Sequence, residues 1–128
     1  MGCLKERLEV EKLDIMNSSR STIARVSGST IMTSSGSTLG YVENGTVMRA
    51  NRSTVGYIEN GYIMNASRST IGRYDRKRIM SPSGSTLFYL EGKTIMKSNR
   101  STLGYTSDDI EDYLEKVIAY IVFFSDWW

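Results

Sequence analysis

Ser-Thr recurs every sixteen residues in this chain, at Ser21, Ser37, Ser53, Ser69, Ser85 and Ser101, and a methionine keeps the same interval at Met16, Met32, Met48, Met64, Met80 and Met96. A strict short period means that one supersecondary unit is repeated, and that each unit buries its apolar face against its neighbours. With 128 residues in all, the repeat fills most of what a single domain holds.

Aligned on Ser-Thr, the units run without a gap. The third reads Thr46-Val47-Met48-Arg49, then Ala50-Asn51-Arg52, then Ser53-Thr54-Val55-Gly56-Tyr57-Ile58, then Glu59-Asn60-Gly61. Val, Ile, Thr and Tyr fill the two longer runs, so each unit reads as a short strand, a turn, a longer strand and a second turn. Asn44-Gly45 and Asn60-Gly61 predict type I′ hairpins, because Asn and Gly tolerate the positive φ such a turn needs. The other turn ends in Arg20, Gly36, Arg52, Arg68, Gly84 or Arg100. An exchange of Gly with Arg points to a backbone conformation that Gly favours without monopolising it, such as the last position of a hairpin loop.

Strand alternation places Val55 and Tyr57 on one side, and Thr54, Gly56 and Ile58 on the other. The glycine recurs at Gly40, Gly56, Gly72 and Gly104, with Ala24 and Phe88 at the two remaining positions. A glycine inside a strand marks a close backbone approach, so these residues predict strands converging on a central axis. The methionines are expected to fill gaps in the core.

A second period lies over the first. The residue after the glycine position reads Arg25, Tyr41, Tyr57, Arg73, Tyr89, Tyr105, which repeats every three units. Positions 15–60 and 63–108 agree at 26 of 46 sites, which points to duplication of a three-unit block. The pattern opens on a short strand and closes on a long one. Those halves are complementary, so the first and last strands can pair and shut a ring, removing the exposed sheet edges. The fold class read from these features is all-β: a closed ring of six short antiparallel β-hairpins. An open β-solenoid, capped at both ends, is the alternative.

The pattern S-T-[ILV]-G-Y-[ILV]-x-x-G-x-[IV], with Asn-Arg or Ser-Gly ahead of each Ser-Thr, resembles the five-fold β-flower proteins, whose short hairpins stand as petals around an axis. The motif covers residues 15–106. The apolar, aromatic end of this chain, Ile118–Phe124 with Trp127 and Trp128, is similar to the tail of that family. The resemblance implies the flower-like ring and brings neither an activity nor catalytic residues with it. Six units stand here where the family name implies five. The resemblance also implies a secretion leader, whereas the head of this sequence, residues 1–13, is charged.

Charge divides the chain into three parts: a charged head (1–13), the repeat domain (14–106) and a tail (107–128). Residues 15–106 hold twelve Lys/Arg against four Asp/Glu, whereas residues 107–128 hold one Lys against six acids. The tail is expected to fold back and neutralise the basic body; a basic surface for an anionic partner is the other reading. Asp108 with Glu111 fits a capping-box-like helix start, and Ile110, Tyr113, Leu114, Val117, Ile118 and Ile121 follow helical spacing. Val117–Phe124 is apolar throughout yet much shorter than the roughly 20 residues of a membrane-spanning helix. It is expected to cap or plug the ring; interfacial anchoring with Trp127 and Trp128 at the headgroups is the alternative. The head, 4–10, suits either a short amphipathic helix or an extra strand. No apolar leader is visible there, so the default location is cytoplasmic, with a removed leader left open by the resemblance.

Chemistry is scarce. There is no histidine and a single cysteine, Cys3, which excludes the usual Ser or Cys triads and leaves no soft or imidazole metal site. Glu43, Glu59, Asp75 and Glu91 occupy equivalent turn positions and read as solvated turn residues. No enzyme, cofactor or metal is expected, and neither is sequence-specific binding of nucleic acid. Binding has more material. Arg20, Arg52, Arg68 and Arg100 are expected on one rim, with Tyr41, Tyr57, Tyr89 and Tyr105 as a second set beside Arg25 and Arg73. Such a rim offers charge and stacking to a carbohydrate or an anionic polymer. The function expected is that of a non-enzymatic structural or binding module, with glycan or polyanion binding, then membrane-surface attachment, as the more specific readings.

Overall fold

The computed structural model describes residues 12–128; the expectations for segment 4–10 and for Cys3 lie outside the described residues. Twelve strands follow one another: β1 (Lys12–Asn17), β2 (Thr22–Ser27), β3 (Thr30–Thr33), β4 (Thr38–Glu43), β5 (Thr46–Arg49), β6 (Thr54–Glu59), β7 (Tyr62–Asn65), β8 (Thr70–Tyr74), β9 (Arg78–Met80), β10 (Thr86–Glu91), β11 (Thr94–Lys97) and β12 (Thr102–Thr106). Each pairs antiparallel with its sequence neighbours, and β1 pairs with β12 through Ile15 opposite Thr106, Met16 opposite Tyr105 and Asn17 opposite Gly104. The barrel is closed, so the ring reading holds and the solenoid does not arise. Lys12 and Leu13 belong to β1, and Leu13 is only 1% exposed; the first strand reaches into what charge alone assigns to the head.

The turns are where the sequence reading is most direct. Asn44 and Gly45 have φ of 52° and 82°, and Asn60 and Gly61 have 55° and 86°, the paired positive values of a type I′ turn. At the opposite ends of the strands, Arg20, Arg52, Arg68 and Arg100 have φ between 67° and 70°, and Gly36 and Gly84 have 95° and 94°. All six are in the left-handed region, which explains the Gly-to-Arg exchange. The loop around each is held by local polar groups. Asn17 Oδ1 accepts from the N–H groups of Ser19 and Ser21, and Thr33 Oγ1 accepts from the Ser37 N–H.

Every unit also carries a β-bulge that simple alternation misses. Val47 faces Gly56 and Met48 faces Thr54, so Val55 has no partner of its own. The same slip recurs at the equivalent position of all six units. The extra residue bends the strand and re-aims its side chain. Ile23, Leu39, Val55, Ile71, Leu87 and Leu103 all pack against the core. The expectation that Val55 and Tyr57 share one side is thereby corrected. The methionines are corrected in the opposite sense. They are half-buried, none belongs to the core cluster, and each alternates with a buried core residue such as Val47. On the outer wall Met48, Met64, Met96 and Met16 lie opposite Tyr41, Tyr57, Tyr89 and Tyr105, where a thioether makes favourable contacts with a ring.

A barrel of this many strands encloses more space than its own side chains fill, and the tail occupies it. The Ser107 N–H donates to Asp14 O (3.0 Å), the Ile110 N–H to Gly92 O (2.9 Å) and the Tyr113 hydroxyl to Lys12 O (3.1 Å), tying the tail to the end of the barrel that bears the two-residue turns. A 3₁₀ turn, Ile110–Tyr113, leads into α1 (Leu114–Ala119) and a π turn, Tyr120–Phe124. Asp109, not Asp108, takes the cap position, with no side-chain cap, so the capping box does not form. Ile110, Val117, Ile118, Ala119 and Ile121 are essentially inaccessible. The apolar run is buried all round because barrel wall surrounds it.

The strand glycines face this plug. A β-carbon at Gly40 would meet the Phe124 ring and the Met48 carbonyl, and one at Gly56 the Phe123 ring and the Met64 carbonyl. At Gly72 it would lie 3.3 Å from Trp128 and at Gly104 3.0 Å from Trp127. Phe88, in one of the two non-glycine positions, instead stacks on Trp128 with ring centroids 6.2 Å apart. The glycines do mark close approach. What approaches, besides the neighbouring strand's carbonyl, is one aromatic ring of the tail for each glycine, and the strands do not converge on an empty axis.

Candidate functional site

The sequence reading places the arginines of the turns and the tyrosines of the strands in two separate sets. The structure joins them into pairs on the outer wall. The Arg52 guanidinium carbon lies 4.1 Å from the centroid of the Tyr41 ring, Arg68 lies 3.9 Å from Tyr57, Arg100 4.1 Å from Tyr89 and Arg20 3.9 Å from Tyr105. The left-handed turn residue projects its side chain back over the preceding long strand, across the short strand between them. Cation and ring face gain electrostatic attraction there. Arg25 and Arg73 replace the tyrosine in the other two units, and the turn that would cover them carries Gly36 or Gly84. Arg25 instead forms an ion pair with Asp14 at 3.7 Å, and Arg73 lies 5.7 Å from the ring centroid of its cross-strand neighbour Tyr62.

Three of the stacked arginines also hold a carboxylate: Arg52 with Glu43 at 3.3 Å, Arg68 with Glu59 at 3.7 Å and Arg100 with Glu91 at 2.9 Å. The hydrogen bond and charge of Glu91 push the Arg100 guanidinium above its ordinary value. These acids read as plain turn residues in the sequence, yet the signal was present. Glu stands nine positions before Arg wherever the pair forms, at Glu43, Glu59 and Glu91; across the closed ring, Ser107 follows Tyr105 as those acids follow Tyr41, Tyr57 and Tyr89. The side chains of the paired arginines remain 55–56% exposed, so the guanidinium edges face solvent.

The tail's acids do not neutralise the wall. None of the ion pairs among the described residues joins the tail to the repeats. Asp108, Asp109 and Asp112 gather with carboxylate oxygens within 4.8 Å of one another, all exposed, at the end where the tail enters. Burial of the apolar part, not charge pairing, holds the tail in place. The aromatics considered for membrane attachment are mostly committed to the lumen. Phe123, Phe124 and Trp127 pack on the core, and Trp128 at 45% exposure is the tail's large exposed apolar side chain. No helix among the described residues is long and apolar enough to cross a membrane.

A closed ring of bulged antiparallel hairpins, plugged by its own aromatic tail, defines the class: a small all-β repeat protein with its conspicuous side chains on the outer wall. The chain belongs to the 5-fold beta-flower protein family, whose profile matches residues 12–125. This member closes its ring with six units, as six left-handed turns and twelve strands. No curated protein and no solved structure gives a significant match.

Proposed function

We propose that this protein is a non-enzymatic binding module whose outer wall takes up extended polyanions. The observation that carries the reading is the guanidinium-on-tyrosine stack repeated at four of six positions around the ring. Each guanidinium is held on one face by the ring, and those of Arg52, Arg68 and Arg100 also on part of the edge by a carboxylate. It has five N–H donors in a fixed plane, so donors remain for an anionic group. The side chain is already ordered, which lowers the entropy lost on binding. Neutral sugars are a poorer fit, because a guanidinium already covers one face of each tyrosine that would stack on them. A plugged lumen and a chain without histidine favour binding over catalysis.

Retention on immobilised heparin at physiological salt tests this. Replacing Arg52 and Arg68 by Gly, the residue the chain itself uses at Gly36 and Gly84, removes two cations without straining the backbone. The wild-type protein is expected to be retained and the double variant to elute at lower salt. Absence of retention at physiological salt, or identical elution of the two proteins, overturns the reading.

A further inference from the structure

One turn departs from the solution the rest of the ring uses. The other two-residue turns carry Gly28, Asn44-Gly45, Asn60-Gly61 or Gly92, all with positive φ. In their place this turn runs Asp75-Arg76-Lys77-Arg78. When the two halves of the chain are aligned, 74–78 against 26–30 is the longest run without an identity, five positions. The backbone is held by other means. The Lys77 N–H donates to Asp75 Oδ1 at 2.9 Å, the Asp75 N–H to Arg78 O at 3.1 Å, and Arg78 Nη2 to Asp75 Oδ2 at 2.9 Å. Three successive cations repel one another, and nothing in the fold requires them, since Asn-Gly closes the same turn elsewhere.

The turn borders a groove of about 510 Å³ on the outer wall, shared with Tyr89, Glu91 and Arg100. Tyr89 lies opposite Arg78 across the strands and beneath Arg100. Both carboxylates are already engaged, Asp75 with Arg78 and Glu91 with Arg100. Burial acts to raise the Asp75 carboxyl, but the Lys77 N–H and the Arg78 guanidinium outweigh it and hold it below its ordinary value. Arg76 and Lys77 are exposed and have no carboxylate partner among the described residues. The groove therefore holds four cations against two acids, and the two unengaged cations sit on one turn.

We propose that this groove is a binding site for a sulfate or phosphate group carried on a polymer, with Arg76 and Lys77 as its principal contacts and the exposed edge of Arg100 beside them. A tetrahedral oxyanion accepts several donors at once, and a guanidinium fork beside an ammonium matches it. The site rests on the polyanion reading and locates its anchoring point.

The test titrates the full chain with a heparin-derived oligosaccharide and, in a second arm, with polyphosphate, at several salt concentrations. Arg76→Asn with Lys77→Gly installs the turn used at Asn44-Gly45 and so preserves the fold, which near-ultraviolet circular dichroism checks. This exchange is expected to weaken binding at least tenfold in one or both arms and to lower the salt slope by about 2, near one per lost contact. Arg52→Gly with Arg68→Gly removes the same charge elsewhere on the wall and is expected to cost about threefold or less by comparison. The arm that responds assigns the ester. Equal losses for the two double variants overturn the site and leave the polyanion reading standing; no wild-type binding in either arm overturns both.

Discussion

Arg20 lies 3.9 Å above the ring of Tyr105, and the two come from opposite ends of the repeat. The stack spans the junction where β1 pairs with β12, and it is the same contact that Arg52 makes with Tyr41 within continuous chain. Closure of the ring therefore restores the repeat's own geometry at the one place where the chain does not connect. Arg20 has no carboxylate partner among the described residues. A double-mutant cycle with Arg20→Gly and Tyr105→Ala is expected to give a coupling of about 0.5–1 kcal/mol, the value of an exposed cation–π contact. Urea melts of the four proteins check it, and a coupling of zero would mean the stack adds nothing to closure.

Tyrosine on a strand goes with arginine on the following turn, and arginine on a strand with glycine. Gly36→Arg alone places a second cation over Arg25 and is expected to destabilise slightly. Combined with Arg25→Tyr, it recreates the pair seen at Tyr41 and Arg52, and the two changes together are expected to be more stable than the sum of the singles by about 0.5–1 kcal/mol. Purely additive effects would show that the pairing rule is a relic of duplication and not an energetic preference.

The strand glycines differ sharply from the turn glycines. A β-carbon at Gly40 collides with the Met48 carbonyl and the Phe124 ring, whereas nothing lies within 4 Å of one at Gly36. Gly40→Ala is expected to cost about 2–3 kcal/mol from overpacking, and Gly36→Ala about 1 kcal/mol from its left-handed φ alone. Adding Phe124→Ala to Gly40→Ala should relieve only part of the loss, because the carbonyl stays. Thermal denaturation of the three variants measures the order, and it fails if Gly36→Ala is the more damaging.

Removing residues 107–128 is expected to unfold the ring. Val117, Ile118 and Ile121 are each wholly buried, and burying such a side chain contributes about 1.5–3 kcal/mol, so these three alone are comparable with the usual 5–15 kcal/mol margin of a domain. Ile118→Asn, a single buried polar substitution, should already lower the melting temperature by several degrees. Circular dichroism and gel filtration distinguish collapse from an intact empty barrel, and the latter would reduce the tail to an accessory.

The unit length, the count of six, both turn types and the complementary ends that close the ring are all legible in the sequence, because each is imposed locally. A left-handed φ at Arg52 or Gly36, and a type I′ turn at Asn44-Gly45, depend on backbone sterics within a few residues, and the repeat states them several times over. The faces were a different matter. Val55 turns inward because a bulge shifts the register by one residue, and that shift exists only between two strands. The methionines lie outside because Ile and Val on the alternate positions fill the wall's inner side. The purpose of Gly40, Gly56, Gly72 and Gly104 lies in Phe124, Phe123, Trp128 and Trp127, which belong to no repeat and meet the strands only in the folded barrel. Likewise the pairing of Arg20 with Tyr105 follows from closure, since only tertiary structure brings the two ends of the repeat within van der Waals distance.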